Sequence, residues 1–163
     1  MRKPSAIAGS AVFFLVAPCV VAGLLPWLIT RWHGLTSSVA LIAVGTVLIV
    51  AGISVLLHAF TRFALEGSGT PAPVAPTETL VVGGIYRHVR NPMYVAVIAI
   101  ILGQTALFGS AGLALYAAVI AAAVVTFVLL YEEPTLARRY GSSYEAYRRN
   151  VPGWLPRLTP WRG

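Results

Sequence analysis

Apolar residues fall into four long runs, at residues 6–29, 38–60, 93–108 and 111–131, with polar residues between them and after the last. A helix needs about 20 mostly apolar residues to cross a bilayer. Lipid offers no partner for an open backbone, so such runs are predicted as helices. The expected fold is all-α: a polytopic membrane protein with about four transmembrane helices plus a C-terminal amphipathic helix at the interface. The third run, residues 93–108, is short, roughly 24 Å at 1.5 Å per residue against a hydrocarbon core of about 30 Å. Only Gly109-Ser110 part it from the fourth, which predicts a tight helical hairpin. Ala114, Ala118 and Ala122 recur at four-residue spacing and are expected to admit a close helix neighbour. Pro18 and Pro26 predict a kink or interruption in the first helix.

The polar stretches carry their own patterns. Residues 66–79 are rich in Gly, Pro and Thr and are expected to be a loop, with a short extended piece after it at residues 80–86. Beyond Pro134, Leu136, Tyr140, Tyr144, Tyr147 and Val151 lie on one face of a helix. Arg138, Arg139, Glu145, Arg148 and Arg149 occupy the other faces, which predicts an amphipathic helix at the cytoplasmic interface. The organisation expected is one membrane domain. Residues 1–60 form two helices, 61–92 a cytoplasmic loop, 93–131 the hairpin and 132–163 a cytoplasmic tail.

Composition sharpens this. The chain has 163 residues, 58% apolar and 10% charged, against about 25% charged in ordinary soluble domains, which excludes a water-soluble globule and a disordered chain. The net charge of +7 does not point to nucleic acid, because the basic residues avoid the apolar runs and flank them. With four spans, eleven of the twelve Lys and Arg residues fall on one side and only Arg31 on the other. That bias predicts both termini on the cytoplasmic side of a bacterial or archaeal plasma membrane, with Trp27 and Trp32 in the opposite interfacial belt. Met1-Arg2-Lys3 before an apolar run resembles a secretion signal, and residues 16–19 resemble a lipoprotein cleavage site. The run is too long for the first and Pro18 unsuited to the second, so an uncleaved helix is expected. One cysteine, Cys19, excludes an intrachain disulfide and is expected to be buried and inert. No His/Cys/acid spacing suits a metal, and no glycine-rich nucleotide fingerprint is present.

Two polar clusters carry the candidate chemistry. One is Tyr86-Arg87-His88-Val89-Arg90-Asn91-Pro92-Met93-Tyr94, leading into the third helix; the other is Tyr131-Glu132-Glu133, leaving the fourth. In a hairpin the two open ends are adjacent, so Arg90, Asn91 and Tyr94 are expected to face Glu132 and Glu133 across a small gap.

The motifs Arg90-Asn91-Pro92-Met93-Tyr94, Leu102-Gly103-Gln104, Phe108-Gly109-Ser110, Glu132-Glu133, the run from Tyr140 to Tyr147 and the run from Val151 to Arg157 resemble, in order and spacing, the isoprenylcysteine carboxyl methyltransferase and phospholipid methyltransferase superfamily. The resemblance covers residues 77–157, about half the chain. It implies an integral membrane enzyme that transfers a methyl group from S-adenosylmethionine to a lipophilic acceptor, most like an isoprenylcysteine carboxyl O-methyltransferase. The family often reads Arg-His-Pro-x-Tyr. Asn91 stands where the histidine is usual and still donates and accepts hydrogen bonds.

The implied cofactor fits the residue types. Its carboxylate suits Arg90 or Arg87, together with backbone N–H groups near Asn91 and Tyr94. Its ammonium and ribose suit Glu132 and Glu133, which the resemblance also assigns to cofactor binding. Its adenine and sulfonium suit Tyr94, Tyr144 and Tyr147. Arg87 and Arg148 are the candidates for orienting an acceptor carboxylate during catalysis. Plainer readings stand beside these. Glu132-Glu133 can be an acidic helix end, Arg87 and Arg90 positive-inside anchors, Asn91-Pro92 a helix start, and the tyrosines an interfacial face. His58 reads as a polar helix end, and His33 lies on the far side. The lipophilic acceptor is expected to enter from the bilayer, with membrane lipids the other partner and neither nucleic acid nor metal involved. Alternatives are a phospholipid N-methyltransferase-like enzyme, a membrane NADPH-dependent reductase and a non-catalytic lipid-binding subunit.

Overall fold

The computed structural model describes residues 12, 16–66 and 79–162. The start of the first run and most of the loop expected at residues 66–79 lie outside the described residues. Among those described, every regular element is helical: α1 (Val16–Thr30), α2 (Val39–Glu66), α3 (Pro92–Phe108), α4 (Ala111–Phe127), α5 (Glu133–Tyr140) and α6 (Ser142–Asn150). The extended piece expected at residues 80–86 is instead irregular chain leading into a 3₁₀ turn, Gly84–Arg87. Gly84 opens that turn at φ +56°, a conformation other residues resist. Among the described residues, two stretches are long and apolar enough to cross a membrane, Val39–Phe63 and Ala111–Tyr140, while Val16–Thr30 and Pro92–Phe108 are shorter apolar helices.

Proline explains how α1 is built and where it docks. The helix is not broken at Pro26; it widens into a π-helical turn over Val20–Leu24, with Leu25 N–H donating to Val20 O. Proline has no N–H to return to the preceding turn. The carbonyls thereby released find donors on other helices. Gln104 Nε2 donates to Ala22 O at 2.7 Å and the Tyr116 hydroxyl to Val21 O at 2.7 Å. A buried carbonyl left unpaired costs about 1–3 kcal/mol, so these two bonds fix α1 against α3 and α4. Cys19, expected to be buried, is exposed, because the docked face of α1 is the one carrying Pro18, Ala22 and Pro26.

The close helix pair is α2 with α3, and glycines make it possible. A Cβ on Gly45 would lie 2.6 Å from Gly103 O, and one on Gly103 2.7 Å from Gly45 O. Such backbone proximity replaces side-chain interdigitation with direct van der Waals contact. The expected Ala114, Ala118 and Ala122 stripe is all exposed; Leu113 and Ala117 face the core instead. The hairpin is as expected. Gly109 ends α3 at φ +56°, and Ser110 Oγ caps α4 by accepting Leu113 N–H at 3.2 Å.

The tail is not one amphipathic helix. α4 passes through a second π-helical turn, Val128–Glu132, into α5, whose first turn holds Pro134. Gly141, at φ +53°, then splits α5 from α6. The tyrosine stripe survives the break but faces protein rather than a lipid boundary. Tyr144, Tyr147 and Val151 form a buried cluster with Leu80, Val82, Leu136 and Trp161 packed against it. Residues 151–161 return as a strap along residues 86–91. Arg90 N–H donates to Pro152 O, Asn91 N–H to Gly153 O, Arg157 N–H to His88 O and Trp161 N–H to Arg87 O.

Candidate functional site

The two polar clusters meet where the open end of the hairpin is closed by α6 and the strap. Pro92 starts α3, so Asn91 and Arg90 precede the helix in non-helical backbone. The π-helical turn delivers Glu132 at its end, and Glu133 begins α5. Consecutive residues on a helix point about 100° apart, so these adjacent acids reach different partners.

Glu133 is buried between two arginines. Arg90 Nη1 lies 2.6 Å from its Oε1, and Arg148 Nη2 lies 3.1 Å from its Oε2. Arg90 also donates through Nε to Val151 O at 2.9 Å and through Nη1 to the Tyr144 hydroxyl at 3.1 Å. One guanidinium therefore binds α5, α6 and the strap together. The triad of two arginines and one glutamate carries a net positive charge. Glu132 Oε2 accepts from the Tyr94 hydroxyl at 2.9 Å. Among the described residues it has no cationic partner.

Asn91 is the anomaly. Its side chain makes no cap at the start of α3. Among the described residues its Nδ2 is buried without a hydrogen-bond partner, whereas buried polar groups in proteins are normally paired. Gly153 leaves the space beside it open: a Cβ there would stand 3.2 Å from Arg90 Nη2 and 3.5 Å from Asn91 Nδ2.

Some of these groups, Arg90, Asn91, Tyr94 and Glu132 among them, wall one end of a cavity of about 220 Å³. Arg90, Asn91, Tyr94, Glu132, Tyr144 and Tyr147 line its polar end; Pro18, Val21, Leu56, Phe60, Val97 and Ile120 line the apolar remainder. The phenols outside the helical spans are held neutral. Burial pushes Tyr147 upward and raises Tyr86 well above the ordinary tyrosine range, while Tyr144 is raised by burial and then by the Glu133 charge. They serve as hydrogen-bond donors and aromatic surface, with Tyr147 donating to Tyr86 O at 2.7 Å.

The structure thus brings together Arg90, Asn91, Tyr94, Glu132, Glu133, Tyr144 and Tyr147. Arg148 reaches Glu133 from the rim with its side chain 55% exposed. Arg87 is directed elsewhere: its Nε donates to Trp161 O at 2.6 Å, and it does not line the cavity. Sequence reasoning missed Gly153 and Phe60. Gly153 stood in the sequence only as one position of the Val151–Arg157 run that carries the resemblance, with no role given to it, and Phe60 looked like any apolar helix residue.

The pattern of the phospholipid methyltransferase family matches residues 37–143, about two thirds of the chain. The chain belongs to that family. A Protein-S-isoprenylcysteine O-methyltransferase of Schizosaccharomyces pombe is 35% identical over 77 residues, 47% of this chain and 33% of that protein. The chain therefore spans about a third of that curated relative's length over the aligned part. No solved structure matches. The phospholipid methyltransferase match takes in Arg90, Asn91, Tyr94, Glu132 and Glu133 but ends before Tyr144, Tyr147 and the strap. In this member of the family, the cavity is completed by residues beyond the matched region.

Proposed function

We propose that the protein is an integral membrane enzyme that transfers a methyl group from S-adenosylmethionine to a lipophilic acceptor, most like an isoprenylcysteine carboxyl O-methyltransferase. The observation that carries this reading is a separation of charge within one cavity. Arg90 lines the cavity as one member of the net-positive Arg90–Glu133–Arg148 triad, beside Asn91 with its unpartnered Nδ2, while the Glu132 carboxyl lines it with only the Tyr94 hydroxyl as partner. That arrangement complements a ligand bearing both a carboxylate and a cationic group, as the amino-acid end of S-adenosylmethionine does. Arg90 and Asn91 would hold the carboxylate, Glu132 the ammonium, and Tyr94, Tyr144 and Tyr147 the aromatic and sulfonium portions. When bound, the cofactor supplies a methyl group activated by its positive sulfur.

The protein's own contribution is placement. Arg90 and Glu133 form a buried ion pair, and the phenols raised by burial stay protonated. A carboxylate acceptor needs no base, so alignment and exclusion of water by the apolar wall account for the catalysis required. The apolar end of the cavity suits an acceptor entering sideways from the bilayer. The family description favours a second acceptor class, the amine of a phospholipid; family membership supports methyl transfer over the nicotinamide-reductase and non-catalytic readings. We also infer four spans, α1 to α4, with both termini on the cytoplasmic side, from the placement of eleven basic residues.

The test is a labelled-methyl transfer assay with purified protein and a total lipid extract, paired with melting curves in S-adenosylhomocysteine and in NADPH. Product in the lipid fraction and a rise in Tm with S-adenosylhomocysteine alone are expected. Glu132→Gln should lower cofactor affinity about tenfold, about 1.4 kcal/mol, without lowering the Tm of the free protein. A rise in Tm with NADPH alone, or an unaltered affinity in Glu132→Gln, overturns the assignment.

A further inference from the structure

The strap that closes the site holds two leucines outward. Leu155 is 81% exposed and Leu158 98%, yet the chain carrying them is firmly tied. Arg157 N–H donates to His88 O at 2.9 Å, the His88 ring bonds Arg157 O through Nδ1 at 2.8 Å, and Trp161 N–H donates to Arg87 O at 3.0 Å. Because a carbonyl only accepts, that Nδ1 carries the proton. The Trp161 ring packs on Tyr147 at 5.6 Å from the other side. The leucines thus project from a loop that hydrogen bonds hold in place.

The height of this loop in the molecule is set by what it is bonded to. Residues 87–91 run straight into Pro92, the first residue of α3, so the strap lies level with the end of the apolar helices. Its surroundings are basic. From residue 132 onward the chain has six arginines and three glutamates, and all three glutamates are engaged. Glu132 is bonded by Tyr94, Glu133 by Arg90 and Arg148, and Glu145 by Arg149. Arg162, directly after the strap, is exposed, as are Arg138 and Arg139 on α5.

We propose that the Leu155–Leu158 edge of the strap is an interfacial anchor, inserted into the headgroup region of an anionic lipid leaflet beside the site. Burying two leucines at the acyl boundary removes their surface from water. The flanking arginines keep their charged ends at the level of lipid phosphates. Anionic lipid is the occupant favoured over a protein partner because the leucines sit level with the membrane boundary and the exposed charge around them is positive. Through the Asn91 N–H to Gly153 O bond, the anchor also steadies the wall that presents Asn91. The proposal rests on the membrane placement given above, not on the cofactor or the reaction.

The experiment uses the full chain in nanodiscs of phosphatidylcholine with phosphatidylglycerol. In a Cys19→Ser background, which removes the one native cysteine, a fluorescent label is placed at Leu158→Cys, in a second variant at Leu155→Cys, and at Glu145→Cys as the exposed control. Lipids with a nitroxide near the headgroup should quench the labels at 155 and 158 but not the control. Iodide should quench those two labels about threefold less than the control. Labels at 155 and 158 that are as open to iodide as the control overturn the anchor. So does shielding seen only in discs holding two copies, which makes the edge a contact between chains. Equal insertion in phosphatidylcholine alone overturns the anionic assignment. Melting curves in S-adenosylhomocysteine, run on the same labelled proteins, report separately on the proposed function.

Discussion

Two carboxamides near opposite ends of α3 are buried almost equally, Gln104 at 6% exposure and Asn91 at 8%. Gln104 is satisfied on both sides: its Nε2 donates to Ala22 O, and its Oε1 accepts from Trp32 Nε1 at 3.2 Å. Asn91 has a buried Nδ2 with no partner. The same functional group, once within α3 and once just before it, thus meets different surroundings. Gln104 joins α1 to α3 by replacing the N–H that Pro26 lacks. Asn91, which lines the cavity, leaves a buried donor unmade, at a cost of about 1–3 kcal/mol that the folded protein tolerates. Burial alone does not separate the two amides; the completeness of their hydrogen bonding does.

The largest effect tests what surrounds Asn91. Arg90→Met should destabilise the protein by about 3–5 kcal/mol, because it strands a buried Glu133 with only a rim arginine and frees Val151 O and Tyr144 from their donor. Denaturation in detergent reads this loss, and a loss under about 1 kcal/mol would show Arg148 to be a sufficient partner. Next comes Asn91→Leu. Removing an unpaired donor should leave the Tm of the free protein unchanged or higher, while S-adenosylhomocysteine affinity falls about tenfold or more, some 1.4 kcal/mol per tenfold. Gln104→Leu should show the reverse pattern: about 1–3 kcal/mol of stability lost through the orphaned Ala22 carbonyl, with affinity per folded molecule intact. If the two substitutions gave the same pattern, the contrast would collapse.

The smallest effect is a pH dependence at Tyr144. Its phenol is raised in the folded protein by burial first and by Glu133 next. A raised folded value means that the folded state keeps its proton longer than the unfolded chain, whose tyrosines titrate near 10. The contribution to stability is complete below that pH and lost as pH rises through the higher folded value. Wild-type Tm should therefore fall relative to Tyr144→Phe above about pH 10, with no difference in slope below it. Parallel melting curves from neutral to strongly alkaline pH would show this.

Much of this was legible in sequence where the physics is local. Apolar runs announced helices because lipid forbids unpaired backbone. Gly109-Ser110 announced the hairpin because a left-handed cap and an N-cap sit side by side. The hairpin in turn placed Arg90, Asn91 and Tyr94 opposite the twin acids. What stayed hidden depended on distant partners. Ala114, Ala118 and Ala122 had the right spacing for close packing but face outward, because the close approach is made instead by Gly103 of α3 against Gly45 of α2. Arg87 and Arg90 are the same residue type three positions apart; only the strap, which arrives from residues 151–161, sends one to Trp161 O and the other to Glu133.

By itself, then, the sequence determined the helices, their order and the polar residues gathered at one end of the hairpin, since each follows from neighbours in the chain and from the periodicity of helical backbone. Only the tertiary structure decided which of two adjacent acids is neutralised, that the tyrosine stripe faces protein, and that one amide is satisfied while the other is left open. Those outcomes turn on hydrogen bonds between segments far apart in the chain, for which no local pattern carries a signal.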